Sequence, residues 1–128
     1  MRIKQLINPD IQPLNPTEAI VQAVETMSSS GRHVLPVVGS DGKLAGILRT
    51  RDVLPILLGR STRGRQVRHF MARRFVTFRA DDEVTDACNT WLGGAMDDLV
   101  VIDADRVFVG IVEPSSVLAM IPRLRRVA

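Results

Sequence analysis

Apolar positions along this chain fall into helical and strand-like runs, and the whole order of runs occurs twice. Ile20, Ala23, Val24 and Met27 recur at helical spacing and predict a helix that buries one stripe. Asn15-Pro16-Thr17-Glu18 reads as its start: an N-cap, proline at the first helical position and a glutamate to reach back. Residues 28–31 end it. The apolar run 34–38, the turn residues Gly39-Ser40-Asp41-Gly42 and the run 44–48 predict a hairpin. Residues 52–58 then read as a short leucine-rich helix despite Pro55. Ahead of all this, residues 1–14 hold the apolar pair Leu6-Ile7 and a proline-punctuated stretch through Ile11 and Leu14.

The second pass begins at 67–71 and continues with a β-like Phe75-Val76-Thr77-Phe78. Asp81-Asp82-Glu83 is expected to cap a helix whose buried face carries Val84, Ala87, Cys88, Trp91 and Leu92. Runs at 99–102 and 107–112 rebuild the hairpin, 115–121 forms the last helix, and Arg123, Arg125 and Arg126 form a basic tail. Gly46-Ile47-Leu48 and Gly110-Ile111-Val112 lie 64 positions apart, and at that offset Ala23 meets Ala87, Leu35 meets Leu99 and Val53 meets Val117. The chain is therefore two copies of one unit. Each copy reads strand, helix, strand, strand, helix. The crossover favours a parallel pair and the tight turn an antiparallel one, so a mixed three-stranded sheet is expected in each copy. The predicted class is α+β. The boundaries are a first copy at 1–58, a basic linker at 59–66, a second copy at 67–122 and a tail at 123–128.

Composition narrows the picture further. The net charge is +3, carried almost wholly by arginine, since lysine occurs only at Lys4 and Lys43. Cys88 is the single cysteine, which excludes an internal disulfide and argues against a metal cluster. Apolar runs such as 53–58 are far too short for a membrane span, and no signal core follows Met1-Arg2-Ile3-Lys4. A protein of the reducing cytoplasm, without membrane insertion, is the expectation. No paired acid and base, nucleophile–base set or metal-ligand spacing is present, so catalysis is not expected. Gly93-Gly94 is a helix stop; no Lys-Ser or Lys-Thr follows to make it a phosphate loop.

The ordered set Leu35-Pro36-Val37-Val38, Asp41-Gly42-Lys43-Leu44 and Gly46-Ile47-Leu48 with Asp52, echoed by Leu99-Val100-Val101-Ile102 and Gly110-Ile111-Val112, resembles a tandem pair of cystathionine β-synthase (CBS) domains, a Bateman module. The likeness covers essentially the whole chain and implies two β-α-β-β-α repeats packed about a pseudo-twofold axis, standing alone. It also implies a regulatory role: such modules bind AMP, ADP, ATP, S-adenosylmethionine or NAD in clefts between the copies. They commonly dimerise into a disc of four CBS repeats, and act on a protein target whose identity this sequence leaves open.

In the family motif a glycine, two apolar residues, Ser or Thr, two variable residues and Asp follow in order; the Asp accepts from the ribose hydroxyls and the hydroxyl reaches phosphate. Gly46-Ile47-Leu48-Arg49-Thr50-Arg51-Asp52 keeps the Asp but puts Arg49 at the hydroxyl position. Gly110-Ile111-Val112-Glu113-Pro114-Ser115-Ser116 has Glu113 there and Ser116 at the Asp position. The resemblance implies that Asp52, Thr50, Arg49 and Arg51 face Phe75, Val76, Thr77, Asp97 and Asp98 in a first cleft. Ser115 and Ser116 would face Ile11, Gln12, Pro13, Arg32 and His33 in a second, degenerate one. A carboxylate about 5 Å from a phosphate costs roughly 3 kcal/mol per unit charge at an effective dielectric of about 20. A micromolar complex has only about 8 kcal/mol in all. Asp97 and Asp98 therefore argue for an adenosine- or sulfonium-type ligand in the first cleft, unless Arg49 and Arg51 screen them; an empty cleft is the alternative.

Plainer readings stand beside these. Asp52 in a helix's first turn is stabilising through the helix dipole alone, Thr50 is a candidate N-cap, and Arg32 and His33 before a strand suit a solvated surface. Cys88 beside Trp91 suits the core, and His69 has no partner at a recognisable spacing. The arginines from Arg60 to Arg79 offer a patch for nucleic acid or an acidic partner, against which stand the scarcity of aromatics and the lack of a reader helix. Loss of ligand binding, leaving a dimerisation or docking module, is the remaining alternative.

Overall fold

The computed structural model describes residues 1–123, so Arg125 and Arg126 of the basic tail lie outside the described residues. The chain divides into two compact units that do not coincide with the two sequence copies. One unit holds Gln12–Phe75 and Arg106–Phe108; the other holds Met1–Ile11, Val76–Asp105 and the chain from Val109 onward. The opening segment thus belongs with the body of the second copy, and the segment that opens the second copy belongs with the body of the first.

In the first-copy unit, α1 (Ile20–Ser30) buries Ile20, Ala23 and Met27, the stripe that the periodicity predicts. It begins later than the Asn15-Pro16 signal suggests, with Ala19 as N-cap and no side-chain cap bond. Asn15 is occupied elsewhere: its Oδ1 accepts from the Thr17 N–H (3.0 Å) and hydroxyl (2.8 Å), closing a turn ahead of the helix. Gly31 ends α1 at φ +67°, a conformation that costs glycine nothing.

β1 (Val34–Val38) and β2 (Leu44–Arg49) pair antiparallel, with an irregularity between Val37 and Val38. The expected third strand contracts here to one parallel bridge, Leu14 to Val37. Pro9, Pro13 and Pro16 around it supply no N–H donors, which limits the ladder. α2 (Thr50–Val53) starts two residues earlier than expected and passes into a 3-10 turn at Leu54–Ile56. Pro55 cannot donate back along an α-helix, so the predicted 52–58 helix is broken there.

In the other unit, β3 (Thr77–Phe78) runs parallel to β4 (Leu99–Ile102), and β5 (Phe108–Val112), which belongs to this unit from Val109 onward, is the next strand, completing the three-stranded sheet. Its parallel strand has two residues rather than the four of 75–78. α3 (Val84–Leu92) is preceded by Glu83 without a side-chain cap bond, while Asp82 Oδ2 accepts from the Arg79 N–H at 2.7 Å instead. Ile3, Leu6, Phe78, Ala87, Trp91, Leu99, Val101 and Val112 form the core. Leu92, expected on the buried face, is 85% exposed, and Cys88 is half-buried rather than fully inside. α4 spans Pro114–Leu118, shorter than 115–121 and begun by a proline suited to a helix's first turn.

The exchanged segments share a set of backbone bonds at matched positions. Short 3-10 turns occupy Ile3–Gln5 and Val67–His69. The Ile3 N–H donates to the Asp82 carbonyl and the Val67 N–H to the Glu18 carbonyl, both at 2.9 Å. Asn8 and Ile111 exchange two backbone bonds, as do Ala72 and Ile47. Each glycine of the Gly-Ile motif is what admits these strands. A Cβ on Gly46 would lie 2.7 Å from the Ala72 carbonyl oxygen, and one on Gly110 would lie 2.6 Å from that of Asn8.

Candidate functional site

β2 delivers Arg49 with an extended backbone, and α2 turns away immediately after it. Asp52, three residues on, reaches back so that its Oδ2 accepts the Arg49 backbone N–H at 2.9 Å. This satisfies a donor the helix start would otherwise leave open and puts negative charge at the positive end of α2. The Arg49 guanidinium closes on the same carboxylate, Nε donating to Oδ2 and Nη2 to Oδ1, each at 2.9 Å. The two side chains are only 24% and 12% exposed, so the fork is partly shielded from water. Arg49, not Thr50, is the N-cap residue. Thr50 is the first helical residue, its N–H bonded to the His33 carbonyl at 2.9 Å and its hydroxyl 3.4 Å from His33 Nδ1. Arg51 is exposed.

Arg32, His33 and Thr50 share the wall of one concavity of about 330 Å³, whose apolar lining includes Val24, Met27 and Val53. Residues assigned from the sequence to separate sets thus meet within the first-copy unit. That unit also contains exposed Gln12 and half-buried Pro13 and Phe75.

In the second-copy unit the equivalent of the Arg49/Asp52 pair is Glu113/Ser116. Asn8 Nδ2 donates to Glu113 Oε1 at 3.0 Å, and the Ser116 N–H donates to the Glu113 carbonyl at 3.0 Å. Ser115 is exposed beside it on α4. Thr77 opens β3 with exposed Val76 before it, and Ile11 is buried. The Trp91 indole N–H donates to the Asp97 carbonyl at 2.7 Å, fixing the approach to half-buried Asp98. A concavity of about 500 Å³ in this unit, walled by Arg79, Asp81, Asp82 and Asp103, includes none of the predicted binding residues. Among the described residues, no three His, Cys, Asp or Glu side chains gather as a metal site requires.

The linker is less idle than its composition suggests. Arg60 lies 4.1 Å from the centre of the Phe70 ring and donates to the His69 carbonyl at 3.0 Å. His69, without a partner in the sequence reading, accepts the Gln66 N–H through Nδ1 at 2.9 Å. Partial burial, then the cationic Arg68, Arg65 and Arg60, hold its pKa below 6.5. Sequence reasoning missed the Arg49–Asp52 fork. Its only signal was the spacing of three along a helix start, which the motif alignment had already assigned to another role.

Residues 3–59 and 67–123 each match the CBS domain family. The chain belongs to the CBS domain family as a tandem pair. The two CBS matches begin 64 residues apart, the spacing of the internal repeat. Among curated proteins, the chain is 24% identical over 114 residues to the inosine-5'-monophosphate dehydrogenase of Methanocaldococcus jannaschii, covering 89% of itself but only 22% of that protein. Among solved structures, it is similar to the CBS-pair protein CBSX2 from Arabidopsis thaliana, with TM-score 0.85, 21% identity and coverage of 98% and 96% of the two chains. A structure of CBSX2 in complex with AMP matches with TM-score 0.85, 20% identity and 97% and 98% coverage. MJ1225 of Methanocaldococcus jannaschii, proposed as an archaeal homologue of γ-AMPK, matches with TM-score 0.86, 20% identity and 96% and 51% coverage. Among the described residues no helix is long and apolar enough to cross a membrane.

Proposed function

We propose that this CBS pair is a regulatory module that binds an adenosine-containing ligand and passes its state to a protein partner by population shift between two conformations. The observation that carries the reading is Asp52, held in the first turn of α2 directly after Gly46-Ile47-Leu48, where the family places its ribose-binding carboxylate. The AMP complex of a CBS-pair relative and the likeness to a proposed γ-AMPK homologue support the ligand class. AMP, ADP, ATP, S-adenosylmethionine and NAD are the candidates. Repeats at 1–58 and 67–122, joined by the 59–66 linker, form the module. Its work is sensing rather than catalysis, in the cytoplasm. The test is a thermal shift against each candidate at millimolar concentration. The expected result is a rise in Tm with at least one adenosyl ligand that Asp52→Ala abolishes. No shift with any of them ends the proposal.

A second reading, self-association as the main role, is favoured by one observation. Leu54 and its repeat equivalent Leu118 are both exposed, as are Leu57 and its equivalent Ile121, and Leu57 and Leu58 are 83% and 88% exposed. Isolated apolar side chains at a surface are ordinary, but apolar exposure at matched positions of both copies suits a homodimer. Sedimentation of wild type against Leu57→Glu separates the cases: a dimer that the substitution dissociates supports it, and a monomeric wild type ends it.

A further inference from the structure

The Asp52 carboxylate is already in use. It accepts three hydrogen bonds from one residue: the Arg49 backbone N–H and Nε on Oδ2, and Nη2 on Oδ1. An ionised carboxylate offers about four acceptor sites, two on each oxygen, so Oδ2 is full and Oδ1 has one site left. A vicinal diol that binds a carboxylate through both hydroxyls places one on each oxygen. It cannot do so while the guanidinium holds Oδ2. The backbone bond is set by the helix start, so Nε is the donor that must leave.

We infer that Arg49 is a built-in competitor for Asp52, a specificity-determining residue that holds the carboxylate closed until a ligand's diol displaces its guanidinium. This rests on the adenosyl-binding reading above. Three features make Arg49 an effective competitor. It is tethered three residues from its target, so its effective concentration there is high. Its fork matches both carboxylate oxygens at once. The pair is partly shielded from water, where such bonds are stronger than on an open surface. The second copy shows the same outcome by other means: Ser116 brings no carboxylate, and the Glu113 carboxylate accepts from Asn8. Neither copy therefore offers a wholly open carboxylate at this turn.

Calorimetric titration of AMP and of adenosine into wild type, Arg49→Thr, Arg49→Lys, Asp52→Ala and the Arg49→Thr/Asp52→Ala double variant tests this. Melting curves establish that each variant is folded. Arg49→Thr is expected to bind both ligands about tenfold more tightly than wild type, with the gain lost in the double variant. Arg49→Lys, whose ammonium cannot span both oxygens, should fall between. The same or weaker binding by folded Arg49→Thr, while Asp52→Ala still weakens the wild type, overturns the competition and leaves the sensing role standing. Weaker binding of AMP alone by Arg49→Thr also overturns it, making Arg49 a phosphate contact. Failure of every variant to bind either ligand overturns the competition, whereas the sensing role falls only if the thermal shift with all five candidates is also flat.

Discussion

Gly46 stands against the backbone of Ala72 so closely that a Cβ there would lie 2.7 Å from the Ala72 carbonyl oxygen and 2.9 Å from the Met71 sulfur. Ile47, next in the chain, exchanges both of its backbone bonds with Ala72. The clash is with backbone already tied into this bridge, so it cannot be relieved by turning a side chain. Gly46→Ala is expected to cost about 2–3 kcal/mol by overpacking, and Gly110→Ala, against the Asn8 carbonyl, a similar amount. Gly59→Ala, with nothing within 4 Å but φ at +99°, serves as a conformational control. Its cost should be about 1–2 kcal/mol. Urea denaturation measures all three.

Asp52 stabilises the start of α2 as well as holding Arg49. Asp52→Ala removes the cap acceptor of the Arg49 N–H and leaves a partly buried guanidinium without its fork. A loss of about 1–2 kcal/mol is expected in chemical denaturation. Asp52→Asn keeps an acceptor for the N–H and should lose less. A loss for Asn equal to that for Ala would show that the charge, not the cap, matters.

His69 makes stability depend on pH in a known direction. Its folded pKa lies below 6.5, held there by partial burial and by Arg68, Arg65 and Arg60, so the unfolded chain takes up the proton first as pH falls. The stabilisation is whole above about pH 6.5 and is lost as pH drops through the folded value. His69→Gln should flatten the decline in urea midpoint between pH 7 and pH 5. Arg60→Ala should raise the His69 pKa in an NMR titration, and a fall would refute this electrostatic account.

Trp91 joins core packing to the loop that carries Asp97 and Asp98. Trp91→Phe loses the indole bond to the Asp97 carbonyl and is expected to cost about 1–2 kcal/mol. Trp91→Ala should cost about 3–5 kcal/mol. Amide exchange at residues 95–98 should quicken in both variants.

The repeat, the α+β class and the hairpins were legible because side-chain periodicity is a local property that each copy records independently. α1 and α3 begin at equivalent positions, Ile20 and Val84, as the offset of 64 requires. Helix starts were read less well. Asn15 and Asp82 have the chemistry of caps, yet both spend their oxygens on turns that precede the helix. Side chains of this kind satisfy whichever N–H lies nearest, and sequence does not say which that is.

By itself, the sequence determined that this protein is one unit written twice, which family it belongs to, and which turn of each copy carries the motif. Tertiary structure alone decided that Met1–Ile11 belongs with the second copy's body and residues 59–75 with the first's. It alone decided, too, that Arg49 occupies Asp52. The reason is common to both: Ile3 and Val67 are equivalents, as are the Asp82 and Glu18 carbonyls that receive them. Equivalent donors suit either copy equally well, and one carboxylate suits a neighbouring guanidinium as well as a ligand. Only the folded chain chooses between partners that the sequence makes equally good.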